Sequence, residues 1–406
     1  MPIGTAVHQR TFALCESLNY REWAGYYAVS SYEGHHEHEY NAIRNASALI
    51  DVSPLFKYLV TGRDAARFVD RLITRDVANL AVGQVFYTPW CDGHGKVIDD
   101  GTVSRLSEGA FRWTAAEPNL RWFRQNSAGL EVSIEDISEI TAALALQGPT
   151  SASLLREVAE AGIDALKYFR VTSGRIAGVP VDISRTGYTG DLGYEIWIPA
   201  EHALRVWDAL VSAGRRFGLR PAGMLALDVA RIEAGLLLIE VDFHSSRKAL
   251  IPAHAYTPFE LGLGRLVNLE KERYVGARAL AAAAARAPQR RVVGLELDWM
   301  EVERIHDALG LAVSVGATAS RVAVPVYRSG RQVGKATSTT WSPVLKKLIA
   351  LATIESPHDA VGTEVRVEVS VEAVRHQVPG RVVQTPFFNP ARKVQVPAAA
   401  GSLPIR

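Results

Sequence analysis

Three segments of the sequence combine charged or aromatic residues with glycines in a way that could build a reactive pocket. The first, SRTGYTGDLGYEIWIP, places three glycines around Tyr188 and leads into an alternating strand that carries Glu195. Glycines permit tight turns and a close approach of the backbone to a ligand. A fixed carboxylate can accept paired hydrogen bonds from the amino and ring N–H groups of a planar heterocycle. A plain glycine-rich hairpin with a surface glutamate is the alternative interpretation.

The second segment, YTPWCDGHGKVIDDGTV, leads from a glycine-flanked turn into a strand with adjacent Asp99 and Asp100. Neighbouring residues on a strand point to opposite faces, so only one of these acids can face a given pocket and we expect the other to be structural. A pocket carboxylate could orient a reacting amine or leaving group, or exchange a proton with it. Two solvated acids at a turn are the alternative.

The third segment, PAGMLALDVARIEAGLLLIEVDF, is predicted to be helical, with Asp228, Arg231 and Glu233 interrupting an apolar surface. Charges three residues apart on a helix often form a plain intrahelical pair. The functional interpretation makes Arg231 a cation of the pocket.

Helix and strand patterns alternate along the first 285 residues, which predicts an α+β fold. The stretch GRDAARFVDRLITRDV repeats apolar residues at helical spacing, and EHALRVWDALVSAGRRFG does the same before Gly218, which is placed to end the helix. Short apolar runs such as KYLVTG and GVPVDISRTG are typical of strands.

The last quarter of the chain has a different pattern. In VRVEVSVEAV, valines alternate with polar residues, as in a half-buried strand, and VVGLELD and GRVVQTPF agree with it. The alanine-rich stretch ALAAAAARAPQRR ends in a proline and a basic cluster. We therefore predict a domain boundary there, followed by a β-rich C-terminal domain.

Composition excludes several classes of function. The chain has 406 residues and a formal net charge of +2, so no global basic field would attract nucleic acid or anionic lipid. Its two cysteines, Cys15 and Cys91, match neither a disulfide scaffold nor a spaced metal motif. Without a signal-like or membrane-spanning apolar run, we expect a cytoplasmic protein with no nucleic-acid or membrane partner.

The cluster formed by His35, His36, Glu37 and His38 suggests a metal site at first sight. It lacks the pair of histidines four residues apart that would place two ligands on one helical face. We therefore expect no metal site.

The three segments also occur within an ordered series that resembles the glycine-cleavage T-protein, or aminomethyltransferase, superfamily over nearly the whole chain. One glycine-rich motif would be weak support, but a series in order across three domains is strong. The matching stretches are AIRNASALIDVSP, LITRDV, GKVIDD, ALQGP, SRTGYTGDLGYEI, RPAG with ARIEAG, TPFELGLG, YVGARAL and VGKATSTTWSP.

The resemblance implies an α+β, three-domain clover-leaf fold with a C-terminal β-barrel and a central folate pocket. The expected domains are a discontinuous folate-binding core of residues 1–59 and 142–285, a second α+β domain of residues 60–141, and the barrel of residues 286–395. We expect the tail, residues 396–406, to be disordered.

The resemblance also implies roles for individual residues. Asp100 matches the catalytic acid near the reacting nitrogens of tetrahydrofolate, and Glu195 matches the carboxylate that holds the pterin. Tyr87 matches an aromatic lining residue, and Arg231 resembles the arginine of the pocket. Tyr188 belongs to the cofactor-binding motif without a chemical role of its own.

Several departures from the T-protein pattern concern what is transferred. Pro54 stands where a histidine is usual, Thr114 replaces a pocket asparagine, Leu227 replaces an arginine, and Gly101 replaces a leucine. These changes weaken the assignment to a true T-protein.

An apparent insertion, HSSRKALIPAHAY, separates two pocket-forming segments. We expect it to remodel the substrate side of the pocket, with His244, His254 and Tyr256 as candidate substrate-side residues and Arg247 and Lys248 as further cations. Each of these could equally be a solvated loop residue.

The sequence therefore predicts a tetrahydrofolate-dependent methyltransferase of the demethylase branch. It would move a methyl group from a small O-, N- or S-methylated donor to tetrahydrofolate. One alternative is a glycine-cleavage aminomethyltransferase that acts on a lipoyl carrier protein. A second is a folate-binding protein without catalysis.

Overall fold

The computed structural model describes residues 1–313 and 318–395, which form two large sheets, a two-stranded hairpin and a closed barrel. The predicted disordered tail lies outside the described residues. None of the helices in the described ranges has the length and apolar character that crossing a bilayer requires.

The helices are short and lie mainly against the two sheets. In chain order they are α1 His8–Leu14, α2 Glu37–Asn45, α3 Ala65–Leu72, α4 Leu120–Asn126, α5 Ser151–Val158, α6 Ala203–Gly214, α7 Met224–Glu233, α8 Ala277–Ala284 and α9 Trp299–Ala308.

The central sheet has seven strands in the order β10-β11-β12-β13-β9-β3-β14. All neighbours are antiparallel except the pair β3 and β14. The strands are β3 Ser47–Asp51, β9 Thr141–Gln147, β10 Ala159–Glu160, β11 Val171–Ile176, β12 Val179–Ser184, β13 Gly193–Pro199 and β14 Leu219–Pro221. A separate hairpin pairs β1 Asn19–Trp23 with β2 Tyr26–Ser31.

Alternating side chains of β9 divide the core of this domain into two layers. Leu144 and Leu146 point into a cluster with α5 and α6, whereas Ala143 and Ala145 belong to a cluster with α2 and α7. Since alanine is small, α7 can approach the sheet closely on the second face. That face also carries Glu195, which lies opposite Ala145.

The second sheet has five strands in the order β5-β6-β7-β4-β8. They are β4 Phe56–Thr61, β5 Val85–Cys91, β6 Val97–Ser107, β7 Ala110–Ala115 and β8 Ser133–Asp136. Its core contains the packed rings of Trp90, Trp113 and Phe123, all fully buried. The predicted helical stripe is confirmed, because its apolar residues have no exposed surface: Ala65, Phe68, Val69, Leu72 and Ile73.

The C-terminal strands close into a barrel in the order β15-β18-β17-β16-β19-β20. They are β15 Arg290–Leu297, β16 Val324–Arg328, β17 Arg331–Ser342, β18 Lys347–Glu355, β19 Glu364–Val371 and β20 Val374–Val383. Val365, Val367 and Val371 of β19 face the barrel interior. The predicted α+β fold with a C-terminal barrel is therefore confirmed.

The sheets also refine the predicted domain boundaries. Strand β4 begins at Phe56 and belongs to the second sheet, so it crosses the predicted boundary between residues 59 and 60. Strand β9 begins at Thr141 and belongs to the central sheet. We therefore propose residues 53–140 as the second domain.

Two of the noted departures from the T-protein pattern form one contact between β6 and β7. A Cβ atom on Gly101 would lie 2.0 Å from the carbonyl oxygen of Thr114. Next to it, the Thr114 hydroxyl lies 2.5 Å from the Thr102 hydroxyl and accepts a hydrogen bond from the Thr102 N–H at 3.2 Å. A larger residue at position 101 would therefore force the two strands apart.

We predict that Gly101→Ala lowers the free energy of unfolding by about 1–3 kcal/mol, as overpacking usually does. Gly93→Ala is the matched control, because a Cβ there meets no atom within 4 Å. Urea denaturation of both variants measures the difference. Equal stability of the two variants would show that the strands can separate at little cost.

Candidate active site

Tyr87 and Asp100 form a hydrogen-bonded pair on neighbouring strands. Asp100 on β6 lies opposite Pro89, and Tyr87 lies opposite Thr102, so both side chains point to the same face. The Tyr87 hydroxyl donates to Asp100 Oδ2 at 2.6 Å. Burial raises the pKa of Asp100 to about 6, although the hydrogen bond from Tyr87 acts to lower this pKa. A carboxyl group with this pKa can exchange protons near neutral pH.

Asp99 points to the opposite face of β6 and has a structural role, as the alternation of a strand predicts. It has no exposed surface and accepts hydrogen bonds from the backbone N–H groups of Asp100 and Glu117 and from the side chain of Asn119. It therefore fixes the loop after β7. Burial, followed by the nearby charge of Asp100, raises the pKa of Asp99 well above its usual range.

Glu195 on β13 is held at one oxygen and has hydrogen-bonding capacity left at the other. The Thr186 hydroxyl donates to Glu195 Oε2, whereas Oε1 has no hydrogen-bond partner among the described residues. Burial raises the pKa of Glu195, and the Thr186 hydrogen bond and the charge of Arg112 lower it. The unpaired oxygen can accept hydrogen bonds from a bound heterocycle.

The glycine-rich segment before β13 wraps around a buried glutamine. Gln147 on β9 donates to the carbonyl oxygens of Thr186 and Tyr194, at 3.3 and 3.2 Å. A Cβ atom on Gly187 or Gly193 would lie 2.1 or 2.2 Å from the Gln147 amide. These two glycines are therefore required for packing. The hydroxyl of Tyr188, which lies between them in sequence, donates to the carbonyl oxygen of Leu237.

Four of the predicted residues, which we call the site residues, are titratable side chains that are neither fully buried nor fully exposed. Tyr87, Asp100, Tyr188 and Glu195 all keep some exposed surface, yet burial is the largest cause of a raised pKa in each. The charge of Asp100 also raises the pKa of Tyr188, and Tyr188 raises that of Tyr87. Tyr87 and Asp100 are thus in direct contact, and Tyr188 lies within electrostatic range of both.

Glu195 is linked to these three through the second sheet rather than by direct bonds. Arg112, on β7 next to the strand of Asp100, donates to Asp182 at 2.7 Å. Its guanidinium lies 4.5 Å from the ring centroid of Trp197, two residues after Glu195 on β13. The contact therefore fixes the face carrying Glu195 against the sheet carrying Asp100.

Arg231 has a different environment from the predicted pocket cation. It is fully buried, and it donates to Asp242 at 2.7 Å and to the Ser338 hydroxyl at 2.8 Å. It also lies 3.6 Å from Asp228, one turn earlier on α7. With no exposed surface, Arg231 cannot contact a bound molecule in this arrangement, and we propose that it holds the loop after α7 and the barrel together.

The predicted insertion lies beside β6, where its backbone pairs with that strand. Val97 donates its N–H to the carbonyl oxygen of Tyr256 and accepts a hydrogen bond from the N–H of Ser246, both at 2.8 Å. The rings of His244 and His254 lie 5.1 Å apart, and His244 Nδ1 is 3.0 Å from Glu240. The insertion therefore flanks the strand that carries Asp100.

Tyr256 does not join the two histidines. Its ring is buried under Arg290, 3.8 Å from the guanidinium carbon, and its hydroxyl lies 3.2 Å from that of Thr353 in the barrel. It borders a cavity of about 360 Å³ on the barrel side. We therefore assign Tyr256 to the contact between insertion and barrel.

The histidine-rich segment around residue 36 gives no sign of a metal site. His38 Nδ1 lies 2.7 Å from Glu33 at the surface. Within the described ranges, no group of three or more histidine, cysteine, aspartate or glutamate side chains could hold a metal ion.

The sequence interpretation missed three residues of the site. Gln147 stands in ALQGP, and the glycines of the downstream motif are the signal that a buried side chain occupies their space. Thr186 directly precedes Gly187, and Arg112 is the one charge in the strand AFRWTA. The partners of Gln147 and Arg112 lie 39 or more residues away in sequence, whereas Thr186 precedes its partner Glu195 by nine residues.

Comparisons with known proteins place most of the chain in two described families. Residues 5–271 match the GCVT N-terminal domain, and residues 307–389 match the glycine cleavage T-protein C-terminal barrel domain. The solved structure of glycine cleavage system aminomethyltransferase T from Bartonella henselae has a TM-score of 0.81, with 96% of this chain and 99% of that chain covered. At 22% identity, this likeness concerns the fold.

Two relatives with different names are similar to the chain in sequence. The trimethylamine-oxide aldolase of Ruegeria pomeroyi is 35% identical over 404 residues, which cover 96% of this chain and 47% of that protein. The chain thus spans about half the length of that relative. An aminomethyltransferase of Streptomyces coelicolor is 34% identical over 364 residues, covering 88% of this chain and 90% of that protein.

We predict that Tyr87→Phe raises the pKa of Asp100 above its value of about 6, because the carboxylate loses the hydrogen bond that stabilises its charged form. Infrared titration of the carboxyl band measures this, and its loss in Asp100→Asn assigns the band. Tyr27→Phe, which removes a half-exposed ring hydroxyl elsewhere, is the control. An unchanged or lower pKa in Tyr87→Phe would contradict the pairing.

We predict that Arg231→Met lowers the free energy of unfolding by about 3–5 kcal/mol, because it leaves the carboxylate of Asp242 buried without its cation. Urea denaturation measures the loss, and the double variant Arg231→Met with Asp242→Leu should recover part of it. If Arg231→Met kept full stability but lost tetrahydrofolate binding, Arg231 would instead be a pocket cation.

Proposed function

The chain belongs to the glycine-cleavage T-protein family, and we propose that it moves a methyl group from a small O-, N- or S-methylated donor to tetrahydrofolate. Members of the family are one-carbon transferases that use tetrahydrofolate. The predicted family, enzyme class and cofactor are therefore confirmed at the level of the family, whereas the donor is our proposal.

The chemistry of the site residues fits a reduced folate. Glu195 offers an unpaired carboxylate oxygen to the amino and ring N–H groups of a pterin. Tyr87 and Tyr188 supply partly exposed rings that can pack against an aromatic ligand. We propose that Glu195 sets the orientation of the pterin and that the tyrosines exclude water from it.

Asp100 is the group we propose for proton transfer. A bound tetrahydrofolate would supply the nitrogen that accepts the methyl carbon, and the leaving group would keep the electron pair of the bond that breaks. The Asp100 carboxylate takes the proton released by the accepting nitrogen. The hydrogen bond from the Tyr87 hydroxyl to the partly exposed Asp100 is the observation that carries this proposal, and a pKa of about 6 leaves the carboxylate charged at neutral pH and still able to bind a proton.

The donor side is where we expect the chain to differ from an aminomethyltransferase. At position 227, where the T-protein pattern has an arginine, the leucine is buried in the core. The insertion that flanks β6 adds His244 and His254, which could protonate or orient a leaving group. The Ruegeria relative is named for trimethylamine oxide, an N-methylated compound, which favours a small methylated amine as donor.

The aminomethyltransferase alternative rests on other relatives. The aminomethyltransferase of Caldanaerobacter subterraneus is 34% identical over 334 residues, covering 81% of this chain and 82% of that protein. An enzyme of that function would act on an aminomethyl group carried by a lipoyl protein and would yield methylene-tetrahydrofolate. The two candidates therefore differ in the mass of the folate product.

A folate-binding protein without catalysis is the third candidate. The hydrogen-bonded pair of Asp100 and Tyr87 argues against it. Burial raises the pKa of Asp100, and the pair takes no part in the pterin contact that we assign to Glu195, so folate binding alone would not require it. Binding of tetrahydrofolate without any folate product from any donor would favour this candidate.

A donor screen with purified protein and tetrahydrofolate tests the proposal. We expect methyl-tetrahydrofolate from at least one N-, O- or S-methylated donor, detected by mass spectrometry. Methylene-tetrahydrofolate formed only with an aminomethylated lipoyl carrier would return the chain to the aminomethyltransferases.

Two variants should separate binding from chemistry. Asp100→Asn should lower kcat roughly a hundredfold or more with little change in tetrahydrofolate affinity, because it removes the proton acceptor. Glu195→Gln should chiefly raise the Kd for tetrahydrofolate. Asp99→Asn is the control for folding, since this acid fixes a loop and its loss should lower stability. Near-normal kcat in Asp100→Asn would remove Asp100 from the mechanism.

A further inference from the structure

A line of three hydrogen bonds ends on the carboxylate of Glu195. The Trp197 indole N–H donates to the Ser184 hydroxyl at 3.1 Å, and the hydroxyls of Ser184 and Thr186 lie 2.8 Å apart. The Thr186 hydroxyl in turn donates to Glu195 Oε2. Trp197, Ser184 and Thr186 are buried, with exposed fractions of 4%, 2% and 5%. We refer to these three residues as the relay.

The central sheet places the members of the relay side by side. Ser184 on β12 lies opposite Glu195 on β13. Residues two apart on a strand point to the same face, so Trp197 and Glu195 share one face of the sheet. Thr186 follows the end of β12, and its carbonyl oxygen accepts a hydrogen bond from the Gln147 amide at 3.3 Å. The fold therefore fixes the position of each hydroxyl.

The relay has one direction of donation that suits all of its members. An indole N–H can only donate, so Ser184 accepts from Trp197. A hydroxyl has one proton, and because Thr186 donates to Glu195, Ser184 must be the donor to Thr186. In the reverse order Glu195 would be protonated, and Ser184 would have to donate to the backbone carbonyl oxygen of Glu195 at 3.4 Å instead of to Thr186 at 2.8 Å. The relay therefore favours an ionised Glu195.

The direct contact of the Glu195 carboxylate with the described residues is the one made by the relay. Burial raises the pKa of Glu195, whereas the Thr186 hydrogen bond and the charge of Arg112 lower it. Arg112 is bonded to Asp182 at 2.7 Å. On the other neighbouring strand, Ala145 lies opposite Glu195 and adds no charge. The fold thus acts on the protonation of this carboxylate chiefly through the relay.

We propose that Trp197, Ser184 and Thr186 are positioning residues that keep Glu195 a hydrogen-bond acceptor, so that the site selects a heterocycle carrying N–H donors. Glu195 Oε1 has no partner among the described residues and is the oxygen left for the ligand. A ring that presented an acceptor there would leave two polar groups unpaired, which costs affinity. This inference rests on the proposed function, because it takes the selected heterocycle to be the pterin of a folate.

Binding of tetrahydrofolate and of its analogue that lacks the amino group of the pterin tests the selection. We expect the unmodified chain to bind tetrahydrofolate roughly tenfold or more tightly, because the analogue lacks one donor to a charged acceptor. Thr186→Val should remove most of this preference, since Glu195 loses the donor that orients and ionises it. Thr11→Val is the matched control, because the buried Thr11 hydroxyl donates to the backbone carbonyl oxygen of His8. A Thr186→Val protein that kept the full preference would overturn the inference.

The pH dependence of the Kd for tetrahydrofolate separates this role from a merely structural one. Affinity should fall as Glu195 takes up a proton. Thr186→Val should move the midpoint of this fall to higher pH by roughly one unit, because the lost hydrogen bond lowers the pKa of Glu195. Both proteins should carry Asp100→Asn, so that the titration of Asp100 does not contribute. An equal midpoint in the two proteins would contradict the proposal.

Ser184→Ala and Trp197→Phe test the relay further from the carboxylate, and they serve if thermal unfolding shows that Thr186→Val does not fold. We expect smaller shifts of the midpoint in the same direction, because each variant removes one link of the relay. Their matched controls are Ser47→Ala and Trp122→Phe, since the Ser47 hydroxyl and the Trp122 indole N–H have no hydrogen-bond partner. Midpoints equal to those of the controls would show that the relay does not act on Glu195.

Loss of this inference and loss of the proposed function have different signatures. Formation of methyl-tetrahydrofolate together with an unchanged preference and midpoint in the relay variants would retain the proposed function without the relay. A preference that depends on the relay, without any folate product, would retain the relay without the proposed function. A chain that binds neither ligand would lose both.

Discussion

Helix α7 carries three buried charges, and their pairing fixes how the central domain and the barrel pack together. Asp228 accepts hydrogen bonds from Arg321 of the barrel domain, Arg231 donates to Ser338 on β17, and Glu233 accepts from the Ser342 hydroxyl. A buried charge without a partner costs several kcal/mol. The helix can therefore occupy only the position at which the barrel supplies partners along its whole length.

The same pairing reaches the candidate site through helix α2. Arg44 forms an ion pair with Glu233 at 2.6 Å, and it donates a hydrogen bond to the carbonyl oxygen of Thr189 at 2.9 Å. Thr189 follows Tyr188 in the glycine-rich segment, so the ion pair limits where that segment can lie. The orientation of Tyr188 thus depends on buried charges, which explains why acids and arginines occur in an otherwise apolar core.

The sequence predicted features set by local periodicity better than features set by distant partners. The alternation of a strand separated Asp99 from Asp100, and alternating valines predicted the barrel. The environment of Arg231 was not predictable in this way, because Ser338 lies 107 residues further along the chain. A charge on an apolar helix has the same local pattern whether it faces a pocket or a buried acid. Only the position of barrel strand β17, which carries Ser338, distinguishes a pocket cation from a buried structural one.

The site residues and the segment with His244 and His254 differ in how many contacts hold them in place, and this difference bears on which of them can change with the substrate. Glu195 and Asp100 lie on strands that have a paired strand on each side. Asp100 also accepts a hydrogen bond from the Tyr87 hydroxyl. The segment with His244 and His254 meets β6 through a few backbone hydrogen bonds and has exposed Leu250 at its tip. The barrel partners of Asp228, Arg231 and Glu233 lie outside this segment. A family with one folate site could therefore acquire new donors by remodelling this segment.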